Sequence, residues 1–562
     1  MNYMKKICGI FIALSLLGNV TLAQTSKKTV KVTPPNDWHL LDPATSGFNG
    51  ISLDRAYSLI KAKNLKSNRV IVAVIDSGID TLHEDLKPVL WRNPREIPGN
   101  GIDDDKNGFI DDVHGWNFLG GKDGRNVKED SYEGARVYYK LKQKWENKNV
   151  IAENLSKTDR EEYNTYLVAK EKIVGDINLE ELAAIREIKP KLAAGDSIIR
   201  KELGKEVYNA NDLKDYNPST LEARITKSIM LNISRENSSN EITNTQILDD
   251  LNGEIRKGEA ATAAPIEYRK DIVQDNEADI NDRFYGNNDI MAKTSFHGTH
   301  CAGIIAAVRN NNKGMDGIAD NVSIMMLRAV PDGDEHDKDI ANAIRYAVDH
   351  GAKVISMSFG KDFSPEKHWV DDAFRYAESK NVLLIHAAGN SAKNIDTASN
   401  FPNPVYVNGS GRAANVITVG ASGDKNNGGL TASFSNYGKK EVDVFAPGVQ
   451  IFSAVPGGNE YGKASGTSMA GPVVAGIAAL ILQHYPALSA RQVKYAIEKS
   501  AVPSAEKVNR PGTQEKVLLS EISVTGGFVN AYEAVKVAGT LKSEKQKETL
   551  PKSKVIKKSK VG

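Results

Sequence analysis

A serine is a weak nucleophile until a base takes its proton, and an imidazole serves as that base best when a carboxylate fixes its tautomer and stabilises its charged form. Three residues stand where such work could be done. Ser468 lies in Gly466-Thr467-Ser468-Met469-Ala470-Gly471-Pro472, which runs into the apolar stretch 473–482. A segment apolar on every side reads as a buried helix, and proline is tolerated best near a helix start, so the helix is predicted to begin close to Ser468. The unpaired N–H groups and positive dipole end there would stabilise an oxyanion on a group bonded to Ser468. The position equally suits a serine that only caps the helix. Asp76 closes the apolar run 70–75, His297 heads a small-residue helix, and Asn390 follows a strand and the flexible Ala387-Ala388-Gly389. Brought to one edge of a sheet, Asp76 would orient His297, His297 would activate Ser468, and Asn390 would donate its amide to the oxyanion beside the Ser468 N–H.

Two further clusters offer ligand chemistry. Asp103, Asp105 and Asn107, followed by Gly108 and then Asp111, reproduce the first nine positions of an EF-hand type calcium loop. Hard oxygen ligands suit calcium, but His114 stands where the closing glutamate is expected, so a calcium loop and a solvated acidic turn are both compatible with the residues. His297 and His300 have no third ligand at a supporting spacing, and they read as a turn entering a helix rather than a zinc site.

Placing these groups is the task of alternating strands and helices. Strands are predicted at 70–76, 322–330, 354–360, 382–385, 416–419 and 442–445. Helices are predicted at 53–60, 296–308, 339–350, 370–379, from Ser468 onward and at 489–500. That alternation is the signature of an α/β fold with a doubly wound, mostly parallel sheet, whose strand carboxyl ends carry functional groups. Between 125 and 286 the sequence turns charged and glycine-poor. Val137, Leu141 and Trp145, then Tyr163, Leu167 and Val174, then Leu179, Leu182 and Ile188 fall at helical spacing, with Pro190, Pro218 and Pro265 as punctuation. An inserted helical bundle is predicted, with both ends tied to catalytic segments.

Composition narrows the classes. Of 562 residues, 73 are basic and 71 acidic, and a net charge of +2 gives no general attraction to nucleic acid. Lys5-Lys6, the apolar run 7–20 and Thr21-Leu22-Ala23 follow the order of a signal peptide cleaved after Ala23, so export to a periplasm or beyond is expected. That run is short for a bilayer, and no later segment is predicted to span one. Cys8 lies inside the apolar run, which leaves Cys301 alone after cleavage and excludes an internal disulfide. The expected layout is a signal peptide at 1–23, a short linker at 24–37, the catalytic α/β unit at 38–124 and 287–540, the helical insertion at 125–286, and a lysine-rich disordered tail at 541–562.

The motifs together resemble those of the subtilisin family of serine proteases. The match rests on Asp76-Ser77-Gly78 with Asp80 nearby, His297-Gly298-Thr299-His300, Ala388-Gly389-Asn390 and Gly466-Thr467-Ser468-Met469-Ala470-Gly471-Pro472, in the family's order. The resemblance implies a subtilisin-like fold and endopeptidase activity on peptide or protein substrates. It also implies a triad of Asp76, His297 and Ser468, Asn390 as oxyanion donor, and Ser358-Phe359-Gly360 with Gly389 as the segments that bind extended substrate. The chain departs from the family in the length between Asp76 and His297, in the short stretch before the first strand, and at Asn310-Asn311-Asn312-Lys313-Gly314, which does not match the family's usual calcium loop. Two other readings compete. An α/β-hydrolase esterase would place its serine before its acid and histidine, whereas Ser468 comes last. A binding protein on a protease scaffold would not need all the catalytic positions intact.

Overall fold

Val70-Ile71-Val72-Ala73-Val74-Ile75 is apolar on both faces, and the first strand, β1 (Val70–Asp76), is accordingly covered on both. The computed structural model describes residues 34–544 except 176–177, 206, 237–241, 293–294, 410 and 426–427. The expected signal peptide, with Cys8, and the tail from residue 545 lie outside the described residues. β1 joins β2 (Gly115–Asn117), β3 (Val322–Arg328), β4 (Val354–Met357), β5 (Leu383–Ala387), β6 (Val416–Ser422) and β7 (Val444–Pro447). Two short strands, β10 (Val502–Pro503) and β13 (Gly527–Phe528), complete a sheet of order β10-β13-β7-β6-β5-β4-β1-β3-β2. All pairings are parallel except β10 with β13. Outside this sheet, β8 (Ile451–Val455) and β9 (Glu460–Ala464) form a hairpin, and β11 (Val508–Asn509) pairs with β12 (Lys516–Val517).

Alternation along β1 sorts its side chains into two cores. Val70, Val72 and Val74 meet the helices Leu53–Ala62, Phe296–Ala306, Thr467–His484, Ala490–Lys499 and Ala531–Ala538 on one face. Ala73 and Ile75 meet Asp337–Asp349 and Lys367–Ser379 on the other, with Trp91, Phe109, Trp116 and Phe118 beside them. Thr467–His484 is the one described helix long and apolar enough to cross a membrane, and 89% of it is buried inside the protein.

The inserted stretch carries helices at Glu133–Trp145, Lys157–Lys170, Leu179–Leu203, Leu221–Glu236 and Asn244–Glu259, around one core of their own and a second that they share with Phe363. Its neck is held where Asn117 and Asn287 exchange backbone hydrogen bonds of 2.9 and 3.0 Å. Pro190 does not end a helix as expected. It sits inside Leu179–Leu203, which continues past it and loses only the N–H that proline lacks. The stripe read through Leu167 and Val174 is displaced, for these are 44% and 41% exposed. Tyr166, Ala169 and Ile173 are buried instead, because Tyr166 stacks on Tyr138 of the first inserted helix at 6.1 Å and sets the phase. The helical part also stops at Glu259, and Val273 and Tyr285, later in the stretch, belong to the second core of the α/β unit.

Candidate active site

After β1 the chain places β3 on one side of it and β4 on the other, so strand order reverses there and a crevice opens beyond its carboxyl end. Asp76 is the last residue of β1 and is buried. Its Oδ1 accepts from Ser77 N–H at 2.7 Å and lies 2.8 Å from His297 Nδ1. His297 is the second residue of the Phe296–Ala306 helix, and close packing of that helix on β1 needs a glycine next. A Cβ on Gly298 would stand 2.1 Å from Gly78 O. The imidazole is 38% exposed, and its Nδ1 is committed to Asp76, so Nε2 is the nitrogen left to meet a substrate or a hydroxyl. Burial alone would lower the basicity of this ring. The charge of Asp76 and the hydrogen bond to it outweigh that and raise its pKa well above the ordinary histidine value.

The Thr467–His484 helix begins one residue before Ser468 with Gly466 at its cap position, so Ser468 does not act as the capping serine. Its Oγ donates to Ser358 O at 3.2 Å. Pro472, four residues on, has no N–H to give to Ser468 O. That carbonyl accepts instead from Ser358 Oγ at 3.0 Å and from Cys301 Sγ at 3.3 Å. Cys301, one helical turn after His297, is wholly buried, 3.9 Å from Nδ1 of that ring, and burial pushes its thiol pKa up. Neighbouring His300 turns the other way, with Nε2 3.2 Å from Gly462 O, and burial depresses its pKa to about 3.

Asn390 follows β5. Its Oδ1 accepts from Thr467 N–H at 2.8 Å and from Thr467 Oγ1 at 2.9 Å, which leaves Nδ2 to donate elsewhere. Asn390 Nδ2 and Ser468 N lie 3.4 and 3.5 Å from the point a Gly466 Cβ would occupy, so two donors face the same space. The turn before Asn390 is pinned by Asn436, whose Nδ2 donates to Ala388 O at 2.8 Å. Gly389 has φ +99°, and a Cβ there would stand 2.5 Å from Asn436 Nδ2, so glycine is required twice over.

A family model of subtilases matches residues 67–522. The chain belongs to the subtilase family. Thermitase of Thermoactinomyces vulgaris is 38% identical over 270 residues, which is 47% of this chain and 85% of that protein. A thermophilic serine proteinase of Bacillus sp. strain AK1 is 40% identical over 240 residues, 42% of this chain and 52% of that protein. Among solved structures, the protease domain of PatA is similar at 29% identity and a TM-score of 0.35, over 44% of this chain and 82% of that one. As a subtilase the protein is a serine endopeptidase with the α/β fold described above.

Within this subtilase, Ser358, Phe359 and Gly360 follow β4 directly, beside Ser468. Phe359 O is 3.0 Å from His386 Nε2, so its carbonyl points into the protein. The acidic loop is arranged differently from the motif. Asp103 and Asp105 do converge, but with Glu96, a residue that precedes the motif, and the oxygens of the three lie within 4.8 Å of one another. Asp111 instead accepts from the N–H groups of Gly99, Asn100 and Gly101 at 2.7, 3.3 and 2.9 Å. Asn107 accepts from Phe109 N–H at 2.7 Å and donates to Asp112 at 2.9 Å. Both therefore hold the loop's shape. Burial, with the charges of Asp112 and Asp105, raises the Glu96 pKa, while Arg95 lies 3.1 Å from Asp105 Oδ2 on the outer side of the cluster.

Proposed function

We propose that the protein hydrolyses peptide bonds through an acyl-enzyme on Ser468. His297 takes the hydroxyl proton at Nε2 while Ser468 Oγ bonds to the carbonyl carbon. The carbonyl oxygen, now negative, is held by the Ser468 N–H and Asn390 Nδ2. His297 then gives the proton to the departing amine, the peptide C–N bond breaks, and water repeats the sequence to release the acid. Asp76 holds the ring and balances its charge. The observation that carries this reading is the 2.8 Å approach of His297 Nδ1 to Asp76 Oδ1, which frees the opposite nitrogen. The resting hydrogen bond from Ser468 Oγ to Ser358 O is compatible with it, since catalytic contacts often tighten only with substrate in place. Extended substrate would add along Ser358-Phe359-Gly360 and Gly389. Labelling by a fluorophosphonate, lost in Ser468→Ala, together with casein cleavage tests the mechanism, and labelling that survives the substitution overturns it.

The reading extends to a structural calcium ion and to export. Glu96, Asp103 and Asp105 fit the ion as hard oxygen donors that crowd together in one loop. Calcium there would relieve the repulsion among three carboxylates and tie residue 96 to the loop 103–105. The catalytic unit would comprise 38–124 and 287–540, with 125–286 as an insertion. Removal of residues 1–23 as a signal peptide is checked by sequencing the amino terminus of the exported protein.

A further inference from the structure

We infer that the inserted helices close one end of the substrate cleft, so that only about three substrate residues are held on the side of the scissile bond that runs along Ser358-Phe359-Gly360. The inference rests on the reading of that segment as the edge to which extended substrate adds.

Backbone groups of an extended segment point alternately to its two edges. Phe359 and Lys361 point inward, for Phe359 O meets His386 Nε2 at 3.0 Å and Lys361 exchanges two 2.9 Å hydrogen bonds with Phe401. Ser358 and Gly360 therefore share the outer edge, and the chain bends at Asp362. Ser358 O lies against the Ser468 hydroxyl, and among the described residues the N–H and C=O of Gly360 make no hydrogen bond. The edge ends at that bend. Asp362 is held by Lys172, from the inserted turn Glu171–Gly175, and by Lys393 at 3.1 Å. From Ser358 to Lys361 an extended chain advances about 10 Å, the length of three residues.

The closure has a floor and a roof. Lys361 is buried, and its ammonium donates to Glu335 O at 2.7 Å and to Glu133 Oε2 at 2.7 Å, and lies 2.9 Å from Asp337 Oδ1. Glu133 opens the first inserted helix, and its N–H donates to Asp334 Oδ2 at 2.8 Å. Lys361 thus ties the segment after β3 to the segment after β4, with the insertion's first turn as the third anchor. Above it Phe363 packs among Ala135, Tyr138 and Ile173 of the insertion, and a Cβ on Gly134 would stand only 3.1 Å from the Phe363 ring. A strand lying along Ser358–Gly360 meets this wall and must turn out of the cleft.

Two series of chromogenic or internally quenched peptides, lengthened one residue at a time toward the amino end and toward the carboxyl end, read the closure directly. In one series kcat/KM should rise about fivefold per residue through the third and then change less than twofold through the sixth. The double substitution Glu133→Gln with Lys361→Met removes that pair together, while Asp337 keeps the Ser364 hydroxyl and the Glu366 N–H as donors and Arg136 keeps Asp130. It should raise the ratio of kcat/KM for the six-residue over the three-residue peptide at least fivefold, as should Lys172→Ala in smaller measure. Continued gain through the sixth residue in both series of the parent overturns the closure, and a plateau that survives both variants overturns the insertion's part in it. Fluorophosphonate labelling of Ser468 in the same preparations reports on the catalytic reading separately, so the two failures are distinguishable.

Discussion

The Cys301 thiol donates to Ser468 O across 3.3 Å, so the residue one turn behind the proposed base is packed against the backbone of the proposed nucleophile. A soft mercurial on that buried thiol would push both His297 and Ser468 from their places, whereas small oxidants should react slowly with a thiol whose pKa burial has raised. Activity should be lost to a mercurial and the loss reversed by excess thiol. Inhibition that persists unchanged in Cys301→Ala would show that another group is responsible.

Ser468→Ala and His297→Ala should each lower turnover by about six orders of magnitude, with Asp76→Asn somewhat less severe, an expectation carried from the family rather than from the distances. Asn390→Ala should cost about two to three orders, since the Ser468 N–H remains to hold the oxyanion. Steady-state rates on a peptide anilide separate these outcomes.

His297 must be neutral to accept a proton, and its pKa in the folded protein is raised. The acid limb of kcat/KM should therefore fall at a pH above the ordinary histidine value of about 6.5. Because the folded form binds this proton more tightly, the Asp76–His297 pair adds stability that is full below the unfolded pKa and is lost as pH rises through the folded one. An acid limb at or below the ordinary value in the parent would contradict the pairing.

Chelation should lower the thermal midpoint if calcium sits between Glu96, Asp103 and Asp105, by an amount that grows with the free ion concentration over Kd. Asp103→Ala with Asp105→Ala should abolish the response, and Glu96→Gln should weaken it. Equal losses of stability in chelator for parent and double mutant would place the ion elsewhere.

Glu335 is buried at the closed end of the cleft, and burial, against the partial relief of Lys361, pushes its carboxyl up to about 8. The folded protein thus holds this proton where the unfolded chain has released it, and stability should decline as pH rises from the ordinary glutamate value through about 8. Glu335→Gln should flatten that decline. Thermal midpoints of the two proteins at pH 6 and pH 9 give the comparison, and parallel shifts would exclude Glu335 as the cause.

The strands that carry the site were legible because parallel strands covered on both faces are mostly apolar, and 70–75 shows it plainly. Ser468 was legible for a related reason, since a helix buried on all sides announces its own start. Glu96 was not, because the motif seeks its last acid after the loop, whereas the chain brings one from before it. Thr467 and Asn436, which anchor Asn390 and its turn, are ordinary polar residues until the fold sets them beside Asn390. The β8–β9 hairpin was missed because Glu460-Tyr461-Gly462-Lys463-Ala464 shows no clean alternation. In the first inserted helix the stripe of Val137 and Trp145 is buried as read, but in the second the phase was not right, for Leu167 and Tyr166 both fit a helical stripe and only the Tyr138 ring decides between them.

The in-register pairing of Val70 with Val322 has a consequence for synthesis. β1 takes β3 and β4 as its neighbours, and both are encoded about 250 residues or more downstream. At roughly 5–20 residues per second, a ribosome needs about 12–50 s to deliver the nearer partner. Until then the most apolar strand of the sheet has nothing to pair with, and both its edges stand open. The inserted helices, whose contacts are mostly local, can order during that interval, so the part of the chain that carries none of the catalytic residues is the part able to fold first.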